Sequence, residues 1–99
     1  MAQVRAYVYH DGVVFRVYPP VVILKRGDKF ELVNTVDDDC TWSVPAGPFE
    51  GGKVNDKISK KSKSAEKTAE AGPCGTTYTV KFGLAKALGN SDPVIIIDP

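Results

Sequence analysis

Residues able to hold a metal are scarce in this chain. There is one histidine, His10, one methionine, Met1, and two cysteines, Cys40 and Cys74. No Cys-x-x-Cys pair occurs, and the cysteine spacing matches no zinc motif. A nucleophilic triad lacks material too, because His10 stands alone beside a tight turn. Long apolar runs are missing. Residues 21–24 and 94–97 are the longest, far short of the roughly 20 residues a membrane helix needs. No basic stretch leads into an apolar stretch and a cleavage site, so a signal peptide is not expected. The chain is expected to be cytoplasmic if Met1 is native, and exported if a leader was removed. An excess of one charge is absent as well: 13 Lys and Arg against 12 Asp and Glu give a net charge of +1. No whole-protein pull toward nucleic acid or a membrane follows. Asp37-Asp38-Asp39 lacks the alternating ligand spacing of a calcium loop and reads as solvated loop. Gly47, Gly51, Gly52 and Lys53 fall one residue short of a phosphate loop, and Val54 stands where Ser or Thr is needed.

What is present is strand chemistry on a chain of 99 residues, enough for one domain over 1–99. Residues 3–9 alternate, with Val4, Ala6 and Val8 on one face and Arg5, Tyr7 and Tyr9 on the other. Asp11-Gly12 marks a turn. Residues 13–17 read as extended, and Pro19-Pro20 interrupts pairing. Residues 21–24 resume as strand, Gly27-Asp28 turns the chain, and 29–34 alternate again. Residues 41–44 form a short strand ended by Pro45. The stretch 76–82 is rich in Thr, Tyr, Val and Phe, and 93–98 is read as a buried central strand.

The middle differs. Lys53, Lys57, Lys60, Lys61, Lys63 and Lys67 face only Asp56 and Glu66, making a basic excursion at about 53–71 within the single domain. A short strand near 54–59 and about two turns of helix at 64–71, with Ser64 as cap, are expected there. No aromatics interleave the lysines, so a solvated loop is favoured over nucleic-acid binding. About seven short strands and at most one short helix predict an all-β, Greek-key β-sandwich.

The run from Gly12 to Pro19, followed by Val21-Val22-Ile23-Leu24-Lys25-Arg26-Gly27-Asp28-Lys29-Phe30-Glu31-Leu32-Val33-Asn34, resembles the opening of a cupredoxin. Gly75-Thr76-Thr77-Tyr78-Thr79-Val80-Lys81-Phe82 is similar to that family's late strand, and residues 94–98 to its closing strand. The resemblance covers about four fifths of the chain, leaving out the lysine-rich middle. It implies a copper site of two histidines, a cysteine thiolate and often a methionine. Residue by residue that set does not carry over. The first histidine falls near Thr41 or Trp42, the cysteine falls on Phe82, and residues 83–92 hold no histidine or methionine. The expectation is therefore a cupredoxin-like domain without copper, cofactor or electron transfer, in which Trp42 and Phe82 pack where the metal would sit.

The expected role is a non-enzymatic binding or assembly module, with a protein partner or self-association as a dimer, and no nucleic acid or membrane. Trp42, Phe49 and Tyr18 are candidate partner contacts, because aromatic anchors dominate contact energy; core packing is the competing reading for each. Lys60, Lys61 and Lys63 are candidate contacts for an anionic partner. Cys40 and Cys74 are either two thiols or a disulfide. Two alternatives stand beside this. Cys40, Cys74 and His10 could form a cryptic metal site. The stretch from Gly27 to Val44 is also similar to small immunoglobulin-like cysteine-protease inhibitors, although their Asn-Pro-Thr-Thr-Gly-Tyr loop is absent.

Overall fold

The computed structural model describes residues 2–70, 75–83, 85–87 and 93–98, with the backbone alone at 85–87 and 98. Every regular element among them is a strand: β1 Gln3–His10, β2 Phe15–Tyr18, β3 Val21–Lys25, β4 Lys29–Asn34, β5 Cys40–Val44, β6 Val54–Ile58, β7 Lys67–Thr68, β8 Thr76–Thr77, β9 Thr79–Phe82, β10 Ala85–Ala87 and β11 Val94–Asp98.

One layer is the sheet β2-β1-β4-β7. β1 runs parallel to β4, from Gln3 opposite Lys29 to Val8 opposite Asn34, and antiparallel to β2. The second layer consists of β10-β9-β5-β6 and β3-β11-β8. These two sheets are joined through the run 76–82. β8 pairs with β11, β9 pairs with β5, and between them the Tyr78 N–H donates to the Pro93 carbonyl (2.9 Å). The expected single strand thus spans both sheets and changes partner at Tyr78.

Period-two alternation explains the core. Ala6, Val8, Val17, Val22, Leu24, Phe30, Leu32, Val80, Ile95 and Ile97 all turn inward, as strand geometry requires when one face is covered. At the centre Phe30 stacks on Phe49 (5.7 Å between ring centroids), and Trp42 meets Tyr78 edge to face (6.3 Å). Phe30 from one layer also touches Trp42 from the other (6.0 Å), which makes the arrangement a sandwich. Trp42 and Phe49 are fully buried, so core packing is their role in this fold.

The turns follow their residues. Asp11 accepts hydrogen bonds from Val13 and Val14 N–H on its Oδ1, and Gly12 takes a positive φ of 98°, a conformation glycine adopts freely. At the β3–β4 turn the buried Asp28 carboxylate accepts from Ala2 N–H (3.0 Å) and Lys25 N–H (2.9 Å). These two donors hold its pKa below the ordinary 3.8.

Two expectations change. Val13 and Val14 lie in the turn rather than in β2, because Asp11 holds their N–H groups. The lysine-rich excursion is neither a free loop nor a helix over its described residues. Its first part is the expected short strand, found as β6 beside β5. From Ser62 onward it lies along the open edge of β4: Asn34 N–H donates to Ser62 O (2.7 Å), Ser64 N–H donates to Leu32 O (2.8 Å), and Leu32 N–H donates to Ser64 Oγ (2.9 Å). Ser64 is thus a strand-edge partner and not a helix cap. Backbone bonds to a preformed strand satisfy these groups better than an isolated two-turn helix, which is marginal in water. Residue 71, the expected end of that helix, lies outside the described residues.

Candidate functional site

The end of the sandwich where β9 finishes is the place to which the missing copper ligands point. Thr41 pairs with Lys81, so one register step further sets Cys40, the first residue of β5, opposite Phe82, the last of β9. Phe82 is buried and stacks on Phe15 of β2 (4.2 Å, interplanar 16°). Phe15 in turn meets His10 edge to face (4.8 Å). An aromatic column of His10, Phe15 and Phe82 therefore ties the first layer to the second at this end.

Neither ligand-type side chain here is set up for a metal. His10 Nδ1 accepts the Gly12 N–H (3.0 Å), which commits that nitrogen to the turn. Cys40 is a buried free thiol. Burial, with a smaller contribution from the Asp39 charge, pushes its pKa up to about 11. Such a thiol stays protonated at neutral pH and is a poor nucleophile and a poor metal ligand. Among the described residues no three His, Cys, Asp or Glu side chains converge. Thr41, Trp42 and Phe82 stand where the resemblance would take a histidine and the cysteine, so this donor set does not fit a copper centre of that kind. Phe82 packs at this end against Phe15, whereas Trp42 belongs to the central aromatic cluster. Cys74, the other half of the disulfide and metal-site readings, lies outside the described residues.

The remaining candidates separate. Tyr18 is exposed at the end of β2 (63%). Lys60 and Lys61 are exposed, but their backbone N–H groups are held by Asp39 Oδ1 (2.8 Å) and Val36 O (3.0 Å). Lys63 is a structural residue: its Nζ lies 3.2 Å from Glu31 Oε2. Glu31 is buried on the outer face of β4 and also accepts from Gln3 Nε2 (2.6 Å) and Arg5 Nε (3.2 Å). Burial raises its pKa, but the bonds to Lys63 and Arg5 outweigh that, and the carboxyl sits below its ordinary 4.5.

Two surfaces went unnoticed in the sequence. The parallel register of β11 with β3 sets Val94 beside Val21 and Ile96 beside Ile23. Val22, Leu24, Ile95 and Ile97 face inward, so these four form an outward apolar patch. Ile23 is 63% exposed and Val21 47%, and β3 is the edge strand of its sheet. The signal was two continuous apolar runs, 21–24 and 94–97, which leave apolar residues on both faces of each strand. The other surface is a polar groove over β5, β6 and β9. It comprises a cavity of about 320 Å³ lined by Thr41, Ser43, Asn55, Thr79 and Lys81, and an adjoining one of about 210 Å³ that shares Thr41 and Lys81.

The sequence matches no protein-family model and no curated protein. Its fold does have solved counterparts. A reduced Cu(I) form at pH 4 of an amicyanin variant superposes with a TM-score of 0.66 at 12% identity, over 97% of this chain and 82% of that one. The Cu(I) form of a second amicyanin variant gives 0.67 at 13% identity over the same shares. The fold is an all-β, cupredoxin-like sandwich.

Proposed function

We propose that this chain is a non-enzymatic protein-binding or assembly module built on a cupredoxin-like scaffold, and that it does not carry electrons through copper. The observation behind this reading is the outward apolar patch of Val21, Ile23, Val94 and Ile96 on an edge strand. Exposed contiguous apolar surface commonly marks an interaction site, and an edge strand adds unpaired backbone groups for strand pairing. β3 is bracketed by Pro20 and Lys25. That leaves a short pairing register and limits uncontrolled edge growth. Tyr18, exposed at the end of β2 just before Pro19-Pro20, is a further candidate aromatic contact.

Sedimentation equilibrium of the wild type and Ile23→Lys, together with capture of partners from a lysate by both, tests the reading. Self-association or a partner lost in Ile23→Lys supports it. A wild type that stays monomeric and captures nothing beyond what Ile23→Lys captures overturns it.

A further inference from the structure

We propose that the groove over β5, β6 and β9 is a binding site for a small phosphorylated polyol, with the phosphate on Lys81 and the hydroxyls against Ser43, Asn55 and Thr79. The site uses none of the apolar patch residues and stands independently of the protein-binding reading.

The lining carries the argument. Strand alternation sends Cys40, Trp42 and Val44 inward and turns Thr41 and Ser43 outward. The same alternation sends Val80 and Phe82 inward and turns Thr79 and Lys81 outward. The register then sets Asn55 opposite Ser43, with Thr79 on its other side. The side chains that line this cavity of about 320 Å³ end in hydroxyls, an amide and an ammonium. Such a lining is mostly polar and offers many hydrogen bonds to a hydroxylated ligand.

Charge then selects the anion. A single cross-strand row runs Lys57, Thr41, Lys81, Lys86 through β6, β5, β9 and β10. Lys57 is already neutralised by Asp39 (3.1 Å). Lys81 has no carboxylate partner among the described residues, although it lies two strands from Lys57 in the same row. A phosphate monoester, carrying about −1.5 to −2 at neutral pH, supplies Lys81 with a counter-charge and accepts charge-assisted bonds from it.

The test is a titration of the ¹⁵N-labelled chain with inorganic phosphate, glucose and glucose 6-phosphate at constant ionic strength. The expected result is saturable amide shifts on β5, β6 and β9, with glucose 6-phosphate bound more tightly than phosphate and glucose silent. Lys81→Ala weakens both anions about tenfold, the effect of losing one charged hydrogen bond. Asn55→Ala weakens glucose 6-phosphate and leaves phosphate unchanged. Lys81→Gln, which keeps the length of the side chain, serves if the alanine variant is misfolded. The proposal is overturned by the absence of saturable shifts. Shifts of equal size around Lys25, Lys60 and Lys61 overturn it too, as does unchanged affinity in both Lys81 variants. Ile23→Lys leaves this titration unaltered, so failure here and failure of the protein-binding reading are told apart.

Discussion

The outer surface of the second layer changes character along its width. Over β3 and β11 it is apolar: Val21, Ile23, Val94 and Ile96. Over β5, β6 and β9 it is polar and cationic: Thr41, Ser43, Asn55, Lys57, Thr79 and Lys81. The inner surface makes no such distinction, since Val22, Leu24, Ile95 and Ile97 pack in the same core as Trp42, Val44 and Val80. The folding requirement is therefore the same for both halves, and the difference outside is one that folding does not demand. The first layer supplies a third case: there the lysine-rich excursion pairs along the edge of β4, and a charged residue on the outer face, Glu31, is buried among the side chains of Gln3, Arg5 and Lys63.

The largest effect should separate inside from outside on neighbouring strands. Ile95 is fully buried and Ile23 is mostly exposed. Ile95→Ala is expected to cost about 2–5 kcal/mol through lost burial and a residual cavity, against roughly 0.5 kcal/mol or less for Ile23→Ala. Urea unfolding of the two variants measures this. Equal losses would mean that the β3–β11 face is covered in solution by another surface.

The covered face responds to pH. Because Glu31 has a folded pKa below 4.5, its contribution to stability is complete above that ordinary value and fades as pH falls through the lowered one. Unfolding midpoints of the wild type should drop on acidification, and those of Glu31→Gln should drop less, from a lower starting point. Amide exchange at Asn34 and Ser64 should rise in the variant as the excursion loses its clamp. An unchanged exchange pattern would show that the backbone bonds to β4 suffice without the carboxylate.

How far such distinctions could be read in advance depends on which partner a segment meets. The strands at 3–9, 29–34 and 41–44 announce themselves by alternation, because one face meets the core and the other water. The apolar outward patch escaped because 94–97 is apolar at every position; periodicity then says nothing about which residues end on the surface. The excursion escaped for the opposite reason. Its lysines describe a solvated stretch, while its attachment rests on backbone groups, on the Ser64 hydroxyl and on the Lys63–Glu31 ion pair, a pairing that no composition reveals. The lack of the copper ligands is legible by counting, since histidine and methionine occur once each. For Trp42 the sequence leaves partner contact and core packing both open, because position in a strand does not tell how deep a side chain lies; its complete burial decides for the core.

Tyr78 stands at the border of the two halves, and its hydroxyl tests how that border is built. The residue is 1% exposed, and its hydroxyl finds no hydrogen-bond partner among the described residues. Burial alone drives its pKa upward. An unpartnered buried hydroxyl lowers stability by its lost hydration, so Tyr78→Phe should leave the fold intact and raise stability by about 1 kcal/mol. The ring keeps its contacts with Trp42 and Phe30, and the N–H keeps its bond to Pro93, so the change of strand partner at this residue should persist. A loss of stability instead would mean that the hydroxyl is bonded in solution. Trp42 Nε1, likewise buried without a partner among the described residues, would then be the donor to examine for a shared water. The smallest effect should appear where polarity is carried across the border. Ile23→Lys gives the apolar half the character of the polar one and, away from the core, should change the stability of the isolated chain by roughly 0.5 kcal/mol or less. A variant as stable as the wild type yet unable to associate would show that the apolar half is kept for contact, whereas a large loss of stability would return those side chains to the core.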